Sequence, residues 1–350
     1  MMEEILVVKR HIKYFEMCLK VLPGRYASLD NSRMTIAFFA ISGLDLLDAL
    51  DKINISPADM IEWIYSLQVL PVEKDGLSDM SASGFRGSTW TGASFVQPQT
   101  DKILYDSGHV AMTYTALCTL LVLGDDLSRV DKQAIAYGLK NLQLENGSFQ
   151  YCVEGSEDDM RFIYCVAAVC YILNDYSTID VEKAVNYIID SLSYEGGFGQ
   201  RPFTEAVGGS TYCAVAALYL FNKLDRLKPS ELALITQWCL NRQQSGFQGR
   251  PNKAVDTCYS FWLGATLQIL DSFQHVNHKA NRDWLLSVQD YMTGGFSKWT
   301  TTSPDPLHSY LGLAGLALMH EEGVQSHFSP LNISQRAANH LHNLQNSSSW

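Results

Sequence analysis

A short turn, glycine or serine leading into phenylalanine, recurs along this chain with a constant step. It reads Asn146-Gly147-Ser148-Phe149, Gly196-Gly197-Phe198, Ser245-Gly246-Phe247 and Gly294-Gly295-Phe296, so the four phenylalanines stand 49 residues apart. Ser83-Gly84-Phe85 is a more distant fifth copy. A fixed period of this size marks one supersecondary unit repeated, each copy unable to bury its apolar face alone.

The turns share their flanks. Before them run helical patterns that mostly end near a glutamine, over 134–143, 181–192, 231–243 and 282–289. After them come helical patterns over 160–173, 210–224, 256–270 and 307–319. The first class mixes charge with apolar positions at i, i+3 and i+4, as in Ala184, Val185, Tyr187 and Ile188, which suits an outer helix. The second class is apolar nearly all round and rich in small residues, as in Leu311-Gly312-Leu313-Ala314-Gly315-Leu316, which suits a buried inner helix. Upstream, 11–22 with 32–50 and 58–70 with 107–124 bring the pairs to six. The expected fold is all-α, an α6/α6 toroid of six helix hairpins forming one domain over 1–350. The repeats fall at about 10–50, 57–124, 130–173, 181–224, 230–270 and 281–319. The alternative is an open solenoid of similar pairs. Closure is favoured because an open stack leaves the apolar inner helices in water.

Hydrophobic residues make up 47% of the chain and charged residues 18%, enough for a large core and too few charges for disorder. The formal net charge of -11 argues against a nucleic-acid partner, so any anionic ligand must be held by a local cluster of cations. Eight cysteines, at 18, 118, 152, 165, 170, 213, 239 and 258, form no CxxC pair and mostly sit in apolar runs. They read as free thiols of a reducing compartment. The start, Met1-Met2-Glu3-Glu4-Ile5, shows no signal peptide. No stretch approaches the ~18 apolar residues of a membrane span. A soluble cytoplasmic protein is expected.

The densest polar stretch in an apolar region runs from Gly249 to Tyr259, where the fifth inner helix begins. Asp256 is placed to cap that helix, and Cys258 falls in its first turn, where the helix dipole favours a thiolate. His308 opens the sixth inner helix, one pair along the same rim. Together they offer O, S and N ligands and leave one tetrahedral position open, as in catalytic zinc sites. The plain alternative is that Asp256 only caps, Cys258 is core, and Arg250 and Lys253 are solvated. Arg250, Lys253 and Lys298, with the Tyr259 hydroxyl, suggest a site for a polyanion such as diphosphate. Alternatively, these cations pair with acidic loop residues.

Aromatic residues on the inner helices, Phe38, Phe39, Tyr114, Tyr164, Tyr212, Trp262 and Tyr310, would line a funnel. Such a funnel holds a long apolar chain by burial, at roughly 25 cal/mol per Å². Any packed helical core also contains rings. The acidic run Glu157-Asp158-Asp159 reads as a solvated loop and helix start.

The run Gly249 to Trp262 (GRPNKAVDTCYSFW), with Leu307-His308, resembles the β subunits of protein prenyltransferases, and within them the type I geranylgeranyl branch. The resemblance extends from Tyr26 to about Ile333. It is supported by Ser32-Arg33-Met34-Thr35-Ile36-Ala37-Phe38-Phe39, Glu62-Trp63-Ile64-Tyr65-Ser66-Leu67-Gln68 and Asp106-Ser107-Gly108-His109. It implies a catalytic β subunit that transfers geranylgeranyl from geranylgeranyl diphosphate to the cysteine of a C-terminal Cys-a-a-X sequence, X often Leu or Phe, on proteins such as small GTPases. It implies a heterodimer with a helical-repeat α subunit, which supplies a further lysine to the diphosphate.

The resemblance also implies one Zn2+ on Asp256, Cys258 and His308. It implies diphosphate contacts from Arg250, Lys253 and Tyr259, and Arg161 near the C-terminus of the peptide. Phe39, Tyr114, Tyr164 and Trp262 join the lipid-binding set. Thr35 stands where farnesyltransferases carry a tryptophan, leaving room for a fourth isoprene unit. Lys298 stands where they present an aspartate to magnesium, so magnesium should be dispensable. One position departs from the family: Val207 replaces the histidine that usually precedes Gly-Gly-Ser in the fourth repeat.

The rival readings are a sibling transferase of farnesyl or Rab type and a non-catalytic toroidal binding subunit. A triterpene cyclase would need a carboxylate cluster and two such domains. A head-to-tail prenyl synthase would need DDxxD, and Asp125-Asp126 followed by Leu127 to Asp131 has the wrong spacing.

Overall fold

The structure, a computed structural model, describes residues 5–20, 22, 24–74, 77–89 and 106–347. Among them an outer helix is followed by an inner helix six times: α1 (Val8–Lys20) and α2 (Arg33–Leu46), α3 (Pro57–Ser66) and α4 (Val110–Val122), α5 (Lys132–Leu142) and α6 (Met160–Leu173), α7 (Val181–Asp190) and α8 (Gly208–Leu220), α9 (Pro229–Leu240) and α10 (Cys258–Ile269), α11 (His278–Ser287) and α12 (Pro306–Leu318). A further helix, α13 (Gln335–Gln345), follows them. Each inner helix packs on the inner helices before and after it, and α12 packs on α2, so the ring closes. The solenoid alternative is thereby excluded. Closure follows from composition: α12 is buried continuously from Ser309 to Leu318, which only neighbours on both sides can achieve.

The repeated turn does the same work in each pair. Phe85, Phe149, Phe198, Phe247 and Phe296 are fully buried. Each bridges antiparallel to a residue one to three positions past the end of its outer helix: Gln68, Gln143, Leu192, Gln243 and Gln289. The amides of Phe85, Phe198 and Phe296 are capped by hydroxyls of the following inner helices, Thr113, Thr211 and Ser309, each at 2.9 Å. Glycine is required where the turn meets the next outer helix. Gly147 (φ 92°) would place a Cβ 2.2 Å from the Lys183 carbonyl, and Gly196 (φ 104°) 2.7 Å from that of Leu234.

The glutamines clamp neighbouring repeats. Gln143 donates to the Asp180 carbonyl (2.8 Å) and accepts from the Asp180 amide (2.7 Å), and Gln243 treats Asn277 the same way. Gln68 spans Arg129 and Asp131. The last one, Gln289, reaches back to the start of the chain, donating to the Ile5 carbonyl and accepting from the Val7 amide. His11 on α1 completes this seam. Its Nδ1 accepts from Gly295 N–H at 3.0 Å, its Nε2 lies 3.3 Å from Gln289 Oε1, and its ring stacks on Phe296.

All turns, and hence all inner-helix N-termini, lie at one end of the ring, its mouth. The other end is covered by the C-terminal stretch, where His327–Phe328 pairs with Ile333–Ser334 and α13 packs on α4. Arg336 anchors it, donating to Asp45 Oδ1 (2.7 Å) and to the Val122 carbonyl (2.6 Å) at the ends of α2 and α4. The short strand pairs here, at Gln68–Val69 with Gly84–Phe85, and at Val72–Lys74 with Leu77–Asp79 are additions to the expected all-α plan. No helix among the described residues is long and apolar enough to cross a membrane.

Candidate metal centre and anion-binding mouth

Asp256, Cys258 and His308 meet at the mouth. One potential ligand atom from each lies within 4.8 Å of the other two. Thr257 is the N-cap of α10 and Cys258 its first residue, so the capping position foreseen for Asp256 belongs one residue later. Asp256 still satisfies one orphan amide, accepting from Cys258 N–H at 3.0 Å. The Thr257 hydroxyl is held by the carbonyls of Ser297 (2.6 Å) and Lys298 (3.1 Å), which ties the fifth repeat to the sixth.

His308 lies in the first turn of α12, capped by Asp305. Asp305 accepts the His308 amide at 2.9 Å and its Oδ2 lies 2.6 Å from His308 Nδ1. Nε2 therefore faces inward, 3.2 Å from Asp256 Oδ1. Metal-ligating histidines characteristically have such a carboxylate partner.

Burial opposes charge on His308, but Asp256 and Asp305 outweigh it and raise its pKa to about 9. Burial opposes charge on Asp256 too, yet His308 and the Cys258 contact hold its carboxyl below the usual range. The Cys258 thiol is pushed well up by burial and then by Asp256, with Lys298 working the other way. Burial and the adjacent carboxylate thus oppose the thiolate that the α10 dipole favours. Asp256, Cys258 and His308 thus form a largely buried donor set with O, S and N atoms converging. It fits a single divalent cation.

The candidate anion ligands surround this cluster. Lys298 Nζ lies 3.4 Å from Asp256 Oδ2 and 4.6 Å from the centre of the Trp299 ring. Arg250 pairs with Glu205. Pairing with acidic residues, the plainer expectation, thus holds for both. Lys253 is exposed on the intervening loop, and its carbonyl accepts from Gln248 at 2.6 Å. The Tyr259 ring is wedged between Gly208 and Gly249, where added Cβ atoms would fall 2.8 and 2.2 Å from it. Burial keeps its hydroxyl protonated. Val207, the N-cap of α8, is half-buried and offers no side-chain cap.

Below the mouth the aromatic set forms a continuous wall. Phe39 meets Tyr310 and Phe38 meets Tyr114, with ring centroids 5.9 and 5.8 Å apart. Tyr114, Tyr164, Tyr212 and Trp262 follow in sequence at 5.3, 5.2 and 5.0 Å. Thr35, whose hydroxyl contacts Met112 Sδ at 3.2 Å, stands half-buried one turn above Phe39.

Arg161 stands apart from the triad, exposed at the start of α6. It binds Asp159 through Nε (2.9 Å) and Nη2 (2.7 Å), with Glu157 at 3.0 Å. The acidic run is thus not simply solvated. Asp159 is only 3% exposed and caps α6, and Asp158 accepts from the Ser148 hydroxyl at 2.7 Å. The guanidinium neutralises what would otherwise be an unpaired buried carboxylate.

His109, one of the residues that carry the family resemblance, lies at the N-terminus of an inner helix. It caps α4, with Nδ1 accepting from Ala111 N–H at 3.1 Å, and stacks on Tyr151 at 4.4 Å. Burial, then the charge of Arg161, lowers its pKa to about 4, so it is a neutral ring with its proton on Nε2.

The sequence profile of the prenyltransferase alpha-alpha toroid domain matches residues 6–344. The geranylgeranyl transferase type-1 subunit beta of Arabidopsis thaliana is 40% identical over 326 residues, 90% of this chain and 85% of that protein. Its Dictyostelium discoideum counterpart is 38% identical over 333 residues, 93% and 94% of the two chains. The solved structure of Candida albicans protein geranylgeranyltransferase-I complexed with GGPP superposes with a TM-score of 0.83 at 26% identity, over 98% of this chain and 100% of that one.

Proposed function

The chain belongs to the prenyltransferase alpha-alpha toroid family, and from that premise we propose that it works as the catalytic β subunit of a type-1 protein geranylgeranyltransferase. It transfers geranylgeranyl from geranylgeranyl diphosphate to the cysteine of proteins ending in Cys-a-a-X, small GTPases among them. A C–S bond forms, the C–O bond to diphosphate breaks, and the thiol proton leaves to solvent. The observation that carries this reading is the Asp256–Cys258–His308 cluster at the mouth of an aromatic-walled ring.

Those three residues would hold one Zn2+, which when bound acidifies a substrate thiol whose free pKa of about 8.5 leaves little thiolate at neutral pH. Arg250, Lys253, Lys298 and the Tyr259 hydroxyl take the diphosphate and stabilise the charge that grows on it as it departs. Arg250 exchanges Glu205, and Lys298 exchanges Asp256, for phosphate oxygens. Lys298 is a resident cation at that edge, so no magnesium requirement enters. Thr35, Phe39, Tyr114, Tyr164 and Trp262 hold the chain by excluding water, at roughly 25 cal/mol per Å² covered. Arg161 receives the C-terminus of the peptide. A prenyltransferase α subunit completes the heterodimer. The eight free cysteines support a cytoplasmic setting.

The test is the heterodimer coexpressed with a prenyltransferase α subunit. Cys258→Ala should remove the single zinc and turnover while sparing lipid diphosphate binding. An active heterodimer that contains no metal would overturn the reading.

A further inference from the structure

A second turn follows the repeated phenylalanine, and the last three repeats build it alike. Thr204 N–H donates to the Arg201 carbonyl (3.3 Å), Lys253 N–H to that of Arg250 (3.4 Å), and Thr302 N–H to that of Trp299 (3.2 Å). The Thr204 and Thr302 hydroxyls also accept from the amides that open their turns, at 3.1 and 3.3 Å. Arg201, Arg250 and Trp299 stand 49 residues apart, at the same offset from Phe198, Phe247 and Phe296. They are one rim position occupied three times.

In the sixth repeat the cation has moved back one residue. Lys298 stands where the two preceding repeats carry Gln200 and Gly249, and a ring takes the place of their arginines. Trp299 keeps 38% exposure, so core packing does not account for an indole there. Its face meets the neighbouring ammonium instead: Lys298 Nζ lies 4.6 Å from the ring centre. That is inside the roughly 6 Å over which an indole face attracts a cation.

Lys298 is fixed at its root and loose at its head. Its carbonyl accepts from the amide (3.3 Å) and the hydroxyl (3.1 Å) of Thr257, whereas its side chain is 40% exposed. The head pairs with Asp256 Oδ2 at 3.4 Å, and Asp256 is also a member of the metal cluster. Exchanging that carboxylate for phosphate oxygens leaves a flexible stem without a fixed partner, unless another surface holds it.

We propose that Trp299 is that surface: a positioning residue that keeps the Lys298 ammonium at the edge of the mouth, aimed at the departing diphosphate. The proposal rests on the functional reading above, which brings a prenyl diphosphate to Lys298. Trp299 acts through Lys298 and not on the reacting atoms. A charge already in place needs no reorientation as the C–O bond breaks, which is where a preorganised cation counts most.

The experiment is a double-mutant cycle in the coexpressed heterodimer: Trp299→Leu, Lys298→Ala and the two together, with Trp299→Phe beside them. Steady-state rates are measured with geranylgeranyl diphosphate and one acceptor peptide. Trp299→Leu should lower kcat about fivefold, the scale of one cation–ring contact, with KM for the peptide unchanged. Trp299→Phe keeps a ring face and should recover most of that loss. In the Lys298→Ala background, Trp299→Leu should change kcat by less than about twofold. An equal loss in both backgrounds overturns the proposal, because the ring then acts through lipid, acceptor or fold and not through Lys298. A wild-type kcat in Trp299→Leu overturns it as well. Where Trp299→Leu does not assemble, Trp299→Gln takes its place in the cycle and the same two outcomes overturn the proposal. Wild-type heterodimer that transfers no geranylgeranyl overturns the functional reading, and the role of Trp299 with it.

Discussion

His308 Nε2 lies 3.2 Å from Asp256 Oδ1, although the two residues belong to neighbouring helix pairs and stand 52 positions apart (308 − 256). Neither side chain was brought there by its own helix alone. The Phe296 turn carries Ser297 and Lys298 to Thr257, and Asp305 caps α12 so that the histidine enters with a fixed tautomer. The repeat supplies the rim, and two capping residues supply the aim.

That aim is testable through Asp305. Asp305→Asn keeps the size of the cap but cannot hold a protonated Nδ1 as a carboxylate does. Zinc affinity should drop about 10–100-fold, the usual effect of removing such an outer partner. Competition against a chromophoric chelator measures it; wild-type affinity in the variant would show that ring orientation is set elsewhere.

Lys298 faces Asp256, where the proposed function puts the leaving diphosphate. Lys298→Ala should lower kcat about 10²-fold, the scale of losing one preorganised group that meets developing charge. Lys298→Asp should recover rate only on addition of magnesium, and the wild-type rate should not respond to it. Rates titrated with magnesium check both statements.

Val207 leaves the N-terminus of α8 without a side-chain donor or acceptor beside Tyr259. Val207→His adds a donor to a charged ligand, worth about 1.5–3 kcal/mol. The Kd of a non-reactive geranylgeranyl diphosphate analogue should fall tenfold or more by calorimetry. No change would mean that another group already fills the place.

Stability should carry the mark of His11. Burial, opposed in part by its bond to Gln289, lowers its pKa from 6.5 to about 4. Between those values the unfolded chain holds the extra proton and the folded one does not. Stability is therefore full above pH 6.5 and declines as pH falls toward 4, by about 1.4 kcal/mol per pH unit for this group. His109 and His327, with pKa values lowered by burial to about 4 and about 3, add to the slope. Urea midpoints measured from pH 7 to 5 should show a shallower decline in His11→Gln than in wild type.

The ring was legible because its causes are local and periodic. A buried phenylalanine, a glycine pressed on the next helix and, in most pairs, a glutamine that clamps it recur at a countable step, and the candidate metal cluster follows from Asp256-x-Cys258 in one pair with His308 in the next. What escaped lacks a period. α13 buries only Ala337, Ala338 and Leu341, too small an apolar face to announce a helix. The two-residue strands are too short to alternate. Asp159 looked solvated beside Glu157 and Asp158 because the sequence does not show that Arg161 folds back onto it. Thr257 took the capping position from Asp256, a difference of one residue that periodicity cannot resolve.

The clamp from Gln289 to Ile5 spans 284 positions. During synthesis, α1 and α2 leave the ribosome with one flank bare, and the surface that will cover it is not made until the sixth pair emerges. The seam must be among the last parts of the molecule to consolidate, and until then the nascent chain is an incomplete arc with sticky apolar ends. Loss of the final repeat would strand the first.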